Sequence, residues 1–200
     1  MTDSLPPDLT ALLGSRICHD LISPLGAIGN GLELLQMTGI AEGPELSLVS
    51  AAARSANARI RFFRIAFGTA PPDQKIGRGE MASVLDDTYG QGRIALAHDL
   101  PADMARADAR LALLLILCLE TALPTGGDIA VRADAGAWHL SATGPRLSLD
   151  DRLWKVMADP HAPGSFTAAE VQFALLRDAC ARDGKPLNMD LGPDVITVRF

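Results

Sequence analysis

The chain has 200 residues, 48% of them apolar and 21% charged, with a formal net charge of −6. That length and apolar content support one or two domains with a buried core, and the acidic balance excludes the basic footprint of a nucleic-acid-binding surface. The longest unbroken apolar run, Leu111 to Leu119, is bounded by Arg110 and Glu120 and falls far short of the ~20 residues that span a bilayer. The start, Met-Thr-Asp-Ser-Leu-Pro-Pro, has neither the basic nor the apolar region of a signal peptide, so a cytoplasmic protein without a membrane segment is expected. Cys18, Cys118 and Cys180 are odd in number and lack metal-ligand spacing to any histidine, and they read as reduced thiols.

A first helix is expected from about Asp8, which caps it after Pro6-Pro7, to about Thr38. Leu9, Leu13, Ile17, Leu21, Leu25, Ile28, Leu32 and Leu35 recur at intervals of three or four and form one apolar stripe. His19 stands two residues past Ile17, about 200° round the helix, so it faces away from that stripe. Its own face carries Ser15, Ser23, Gly26 and Asn30, small enough for another protein to approach the ring. Asp20 follows directly. Pro24 lies five residues past the histidine inside the helical pattern, where a proline costs about 3 kcal/mol and one backbone hydrogen bond.

Gly39 to Pro44 reads as a short connection between antiparallel helices. A second helix then places Leu46, Val49, Ala53, Ala56, Ile60, Phe63 and Phe67 at strict three-four spacing, and Ala70-Pro71-Pro72 ends it. A hairpin of two such helices does not bury both stripes alone. An isologous dimer forming a four-helix bundle would; packing onto the chain's own C-terminal part is the alternative. The second helix also carries Arg54, Arg59, Arg61 and Arg64 with no acid between them, either a docking face or an ordinary solvated one.

After Lys75 the period changes. Glu80 to Tyr89 reads as a helix, Arg93 to Asp99 as a strand and Arg106 to Leu123 as a long apolar helix. Asp128 to Asp134 and Trp138 to Thr143 form a hairpin turned at Ala135-Gly136. Leu149 to Met157 and Thr167 to Arg182 read as helices, and a second hairpin, Pro186 to Leu191 and Val195 to Phe200, turns at Gly192-Pro193. The fold class is therefore α+β, with domains at 8–69 and 76–200.

The run His19-Asp20-Leu21-Ile22-Ser23-Pro24-Leu25 resembles the phosphoacceptor box of the dimerisation and phosphotransfer domain of sensor histidine kinases: His, an acid, three variable residues, Pro. The wider stretch from Ser15 to Leu35, with Cys-His-Asp, Ser-Pro-Leu-Gly-Ala-Ile and Asn-Gly-Leu-Glu-Leu-Leu, is similar to the ChpT-type histidine phosphotransferases. The resemblance is sharp over residues 8 to 69 and architectural beyond, where helices on a mixed sheet resemble the two-layer ATP-binding (Bergerat) domain of the kinases. It implies a phosphotransferase that takes a phosphoryl group from a receiver aspartate onto His19 and passes it to another receiver. The donor would resemble the receiver of a hybrid kinase such as CckA, and the acceptors would resemble the regulators CtrA and CpdR. Magnesium would come with the receiver, and the chain would hold no cofactor of its own.

The kinase parts that use ATP are an asparagine on the long helix, an Asp-x-Gly-x-Gly after the following strands and a glycine-rich lid. Here the chain's three asparagines are Asn30, Asn57 and Asn188; the second motif is replaced by Ser141-Ala142-Thr143-Gly144-Pro145-Arg146; and the lid position reads Pro163-Gly164-Ser165-Phe166-Thr167. A domain that does not use ATP is expected. The chemistry then rests on His19, with Asp20 orienting the ring or taking its proton, or else a solvated surface acid. Arg16, one turn away, would pair with the phosphoryl group, and Ser15, Ser23, Pro24, Gly26, Arg54 and Arg61 would shape the docking face. Cys18 has no basic neighbour arranged around it to make a reactive thiol. His98, His139 and His161 lie in no motif. Two other readings stand beside the relay: an active histidine kinase of unusual sequence, and a non-catalytic dimeric adaptor.

Overall fold

A computed structural model describes residues 9–37, 43–90, 92–134, 136–158 and 166–200, and the side chains of 9–13, 15–20, 23, 24, 36 and 45 lie outside that description. The chain divides into two compact units, Met1–Thr69 and Ala70–Phe200. Among the described residues no helix is long and apolar enough to cross a membrane. The expected cap at Asp8 and the loop residues 39–42 lie outside the described residues.

The first unit is a helical hairpin. Helix α1 (Leu9–Met37) and helix α2 (Pro44–Ala66) pack against each other. Pro44 opens α2 at a position where its missing N–H costs nothing, and the Phe67 N–H closes the helix on the Phe63 carbonyl at 2.8 Å. The hairpin alone covers neither apolar stripe completely. On α1, Leu25 and Leu32 are half-buried, while Leu21, Ile28 and Leu35 are exposed. The half-buried line on α1 instead runs Ile22, Leu25, Gly29, Leu32. On α2, Val49 is exposed, the other stripe positions are half-buried, and Ser50, Ala58, Phe62, Ile65 and Ala66 are buried. The physical reason is width: a stripe built from positions three and four apart spans more of the helix than one neighbouring helix covers.

The second unit is α+β. Its core element is helix α4 (Arg106–Thr121), in which every residue from Asp108 to Leu119 is buried. A helix apolar on all sides has to be enclosed, and each buried Leu or Ile there contributes about 1.5–3 kcal/mol. Helix α6 (Val171–Asp183) packs on it, helix α5 (Asp151–Ala158) packs on α6, and helix α3 (Arg78–Tyr89) packs on the strands. Two three-residue strands that no periodicity announces, β1 (Lys75–Gly77) and β3 (Asp103–Ala105), pair antiparallel.

The main sheet contains β2 (Ile94–Asp99), β4 (Gly127–Asp134), β5 (Ala137–Thr143), β6 (Asn188–Leu191) and β7 (Val195–Arg199), in the order β2-β4-β5-β7-β6. β2 runs parallel to β4 and the other pairs are antiparallel, which makes the sheet mixed. Ile129, Val131, Trp138, Leu140, Ala142, Ile196 and Val198 point to the covered side, in the strict alternation of a half-solvated sheet. Trp138 stacks on Phe200 with centroids 5.9 Å apart, and Trp154 meets Phe173 edge-on at 5.8 Å. The buried Asp108 carboxylate accepts from Lys185 Nζ, which also lies over the Phe200 ring.

Cys118 and Cys180 are free and buried. Burial, with Cys180 nearby, raises the Cys118 thiol well above its usual value. Burial and then Asp183, partly opposed by Lys185, push Cys180 up to about 12. Both thiols should therefore resist iodoacetamide at pH 8 in the native protein and react fully in denaturant. Because the folded value of Cys180 lies above its unfolded one, its contribution is intact below the unfolded pKa of 9.0 and is lost as pH rises toward about 12. A flat stability profile across that window, measured by urea unfolding of a Cys180→Ser control beside wild type, would contradict this.

Candidate functional site

Helix α1 continues without interruption through Pro24. The backbone of Ser15, Arg16, His19, Asp20, Ser23, Pro24 and Gly26 is thus helical, while the side chains of the first six lie outside the described residues. At 100° per residue, positions 19, 23, 26 and 30 share one flank of α1, and Leu21, Ile28 and Leu35 share the opposite flank. The half-buried line of Ile22, Leu25, Gly29 and Leu32 runs between them. A Cβ built on Gly26 would meet nothing within 4 Å, so that flank is open two turns beyond position 19.

The level of α2 beside position 19 follows from one close approach. A Cβ on Gly14 would lie 3.0 Å from the Phe67 carbonyl oxygen and 3.2 Å from its Cβ, so only glycine lets the helices come this near without a shift. Both helices rise about 1.5 Å per residue in opposite directions, so five residues up α1 from Gly14 corresponds to Phe62 on α2. Arg61 therefore stands at the level of position 19. Arg54 lies about 10 Å farther along the axis. The two arginines expected to act together are brought to different heights. Arg59 has its guanidinium over the Phe62 and Phe63 rings at 5.7 and 5.4 Å, and Phe63 packs on Phe67 at 5.1 Å. Gly14 and Phe67 escaped the sequence reading as site residues because their meeting depends on the hairpin register, although a glycine opposite an aromatic at the base of two heptad helices is a usable signal.

In the second unit, α4 carries no asparagine, and β5 runs into Gly144-Pro145-Arg146 with no carboxylate. Leu123 occupies the space at that corner: a Cβ on Gly144 would lie 2.8 Å from Leu123 Cδ2, and one on Gly127 would lie 2.9 Å from the same atom. Of the expected lid, residues 163–165 lie outside the described residues. The acid that follows it, Glu170, accepts from the Thr167 backbone N–H at 2.8 Å and pairs with Arg152. The Thr167 N–H, ahead of Arg152, holds its carboxyl below the ordinary value. His98 Nε2 lies 3.0 Å from the Asp86 carboxylate, His139 stands on the outer face of β5, and His161 lies outside the described residues. Among the described residues no group of three or more His, Cys, Asp or Glu is placed to hold a metal ion.

Comparison with known proteins places the chain beside phosphotransferases. A family model described as the histidine phosphotransferase C-terminal domain matches residues 78–194. The protein phosphotransferase ChpT of Brucella abortus (strain 2308) is 39% identical over 142 residues, covering 70% of this chain. The match spans 65% of that relative, just under two thirds of its length. A solved structure of a bacterial phosphotransferase superposes with a TM-score of 0.70 at 29% identity, over 98% of this chain and 97% of the other.

Proposed function

The chain belongs to the ChpT-type histidine phosphotransferases of two-component signalling, and from that premise we propose that His19 accepts a phosphoryl group from a receiver-domain aspartate and passes it to the aspartate of a second receiver. The observation that carries this reading is the His19-Asp20-x-x-x-Pro24 box on an unbroken α1, with position 19 on the flank opposite the exposed Leu21, Ile28 and Leu35.

A neutral imidazole nitrogen attacks the acyl phosphate: a P–N bond forms as the P–O bond to the donor aspartate breaks, and the donor leaves as a carboxylate. The second transfer runs the same exchange in reverse on the acceptor. Such reactions need positioning and charge neutralisation rather than elaborate covalent machinery. Asp20 orients the ring or takes its proton. Arg16 and Arg61 supply positive charge near the phosphoryl group, while Arg54, two turns away, contributes to approach. Ser15, Ser23 and Gly26 keep the flank low, and Pro24 loosens the helix below it. Magnesium belongs to the receiver's side of the complex.

ATP plays no part in this reading. The missing asparagine and carboxylate, and the Leu123 side chain packed against Gly127 and Gly144, support it. The domains at 8–69 and 76–200 then divide the work, the first for transfer and the second for support and docking.

The hairpin works as a homodimer. Leu21, Ile28 and Leu35 repeat at seven-residue spacing along α1 and are 45%, 50% and 44% exposed in the single chain. Together with Val49 on α2 they form an apolar edge suited to a second hairpin in a four-helix bundle. Ile28→Asp should leave the unfolding midpoint of the second unit unchanged and turn the sedimenting species into a monomer. A wild-type chain that already sediments as a monomer contradicts the dimer. The test of the transfer reading is to supply a labelled, phosphorylated receiver and map the label on the chain to residue 19 by its acid lability, its base stability and its peptide mass.

A further inference from the structure

We propose that the uncovered face of the five-stranded sheet is a binding site for a small, multiply charged phosphate, held by Arg132, His139 and Arg199. This goes beyond the transfer reaction and does not depend on His19. The three residues are direct cross-strand neighbours: Arg132 faces His139 across β4 and β5, and His139 faces Arg199 across β5 and β7. Adjacent strands lie about 4.8 Å apart, so two arginines flank one histidine with about 10 Å between their backbones. An anion seated between the two guanidinium groups meets positive charge from both sides.

The row beside it is small. Ala97, Ala130, Ser141 and Thr197 stand in register across the same strands. The long basic side chains therefore rise along one side of a floor of methyl groups and two hydroxyls. The hollow they bound has a volume of about 760 Å³, within the range of small-ligand sites. Asp99 meets Arg132 at 3.7 Å, but both side chains are largely exposed, so that pair is weak and a phosphate displaces it at little cost. Arg199 joins no ion pair among the described residues. Asp134 closes the rim on the β4 side.

The chemistry selects phosphate over other anions. The planar guanidinium fork matches phosphate oxygens with two parallel hydrogen bonds, and the Ser141 and Thr197 hydroxyls add donors from the floor. No Phe, Tyr or Trp lines the hollow, so it offers no large ring platform for a nucleobase, and the phosphates carry the recognition. The overall charge of −6 makes this row an exception to the prevailing field rather than part of a basic surface.

The experiment is an amide NMR titration of the full chain with inorganic pyrophosphate at constant ionic strength. Saturable shifts confined to the Arg132, His139, Ser141, Thr197 and Arg199 region are expected. Arg199→Gln should weaken the fitted Kd at least tenfold, and Arg199→Lys should weaken it less. ADP should bind this face no more tightly than pyrophosphate. Shifts that grow linearly without saturation, a Kd unchanged in Arg199→Gln, or shifts centred elsewhere would overturn the proposal. So would a hexaglutamate peptide that binds this face where pyrophosphate does not, since the surface would then serve an acidic protein segment.

Discussion

His19→Gln should reduce uptake of label from a phosphorylated receiver by about a thousandfold or more, because the substitution removes the imidazole proposed to take the phosphoryl group. Position 19 shares its flank of α1 with Gly26, where an added Cβ would meet nothing within 4 Å, and glutamine is a good helix former, so the unfolding midpoint should stay within about 2 °C of wild type. Asp20→Asn should be milder, about 10- to 100-fold, since it changes how the ring is oriented and deprotonated but leaves the nucleophile in place. A stopped-flow or gel measurement of label transfer, beside a melting curve for each variant, separates chemistry from folding. Substantial transfer by His19→Gln would mean that another residue carries the phosphoryl group.

Gly127→Ala should be the most damaging single methyl in the second unit, costing about 3–5 kcal/mol of stability out of the roughly 5–15 kcal/mol a domain possesses. Gly127 opens β4 with φ of 155°, and its added Cβ would lie 2.2 Å from the Thr143 carbonyl oxygen as well as against Leu123. Its N–H also donates to the Arg93 carbonyl, and it stands opposite Ile94, so a shift there disturbs the parallel pairing of β2 and β4. Gly136 is the informative control. It too has a positive φ, 87°, but a Cβ there meets nothing within 4 Å. Gly136→Ala should therefore cost only the backbone strain of about 1–2 kcal/mol. Urea unfolding of both variants checks the difference, and equal losses would show that the collision at Gly127 relaxes without penalty.

The helices of this fold could be read from local pattern. Heptad spacing announced α1 and α2, the unbroken run Leu111 to Leu119 announced the enclosed α4, and the alternation through Ile129, Val131, Trp138, Leu140 and Ala142 announced the hairpin of β4 and β5. What escaped depends on contacts between distant residues. Strands β1 and β3 are three residues each and exist because Ile76 and Met104 find each other. Asp108 is tolerable inside α4 because Lys185, 77 residues later, reaches it. The stripe on α1 was visible, but periodicity does not say which edge a partner helix takes, and the structure leaves Leu21, Ile28 and Leu35 uncovered.

The candidate site divides the same way. The candidate box of His19, Asp20 and Pro24 is a pattern within six residues of one helix and needs no contact between distant residues to be read. The separate levels of Arg54 and Arg61 need the hairpin register, which is set where Gly14 meets Phe67. His139 carried no signal at all in the sequence. Its place between two arginines appears only when strands about sixty residues apart in the chain are aligned.

The central claim is tested most directly by offering the wild-type chain its phosphoryl group from two sources, labelled ATP with magnesium in one arm and a labelled, phosphorylated receiver domain in the other. The account predicts label on His19 from the receiver alone, followed by its passage to a second, unlabelled receiver. Label acquired from ATP in the absence of any other kinase would contradict it, and so would a chain that takes label from neither source across receivers it demonstrably binds.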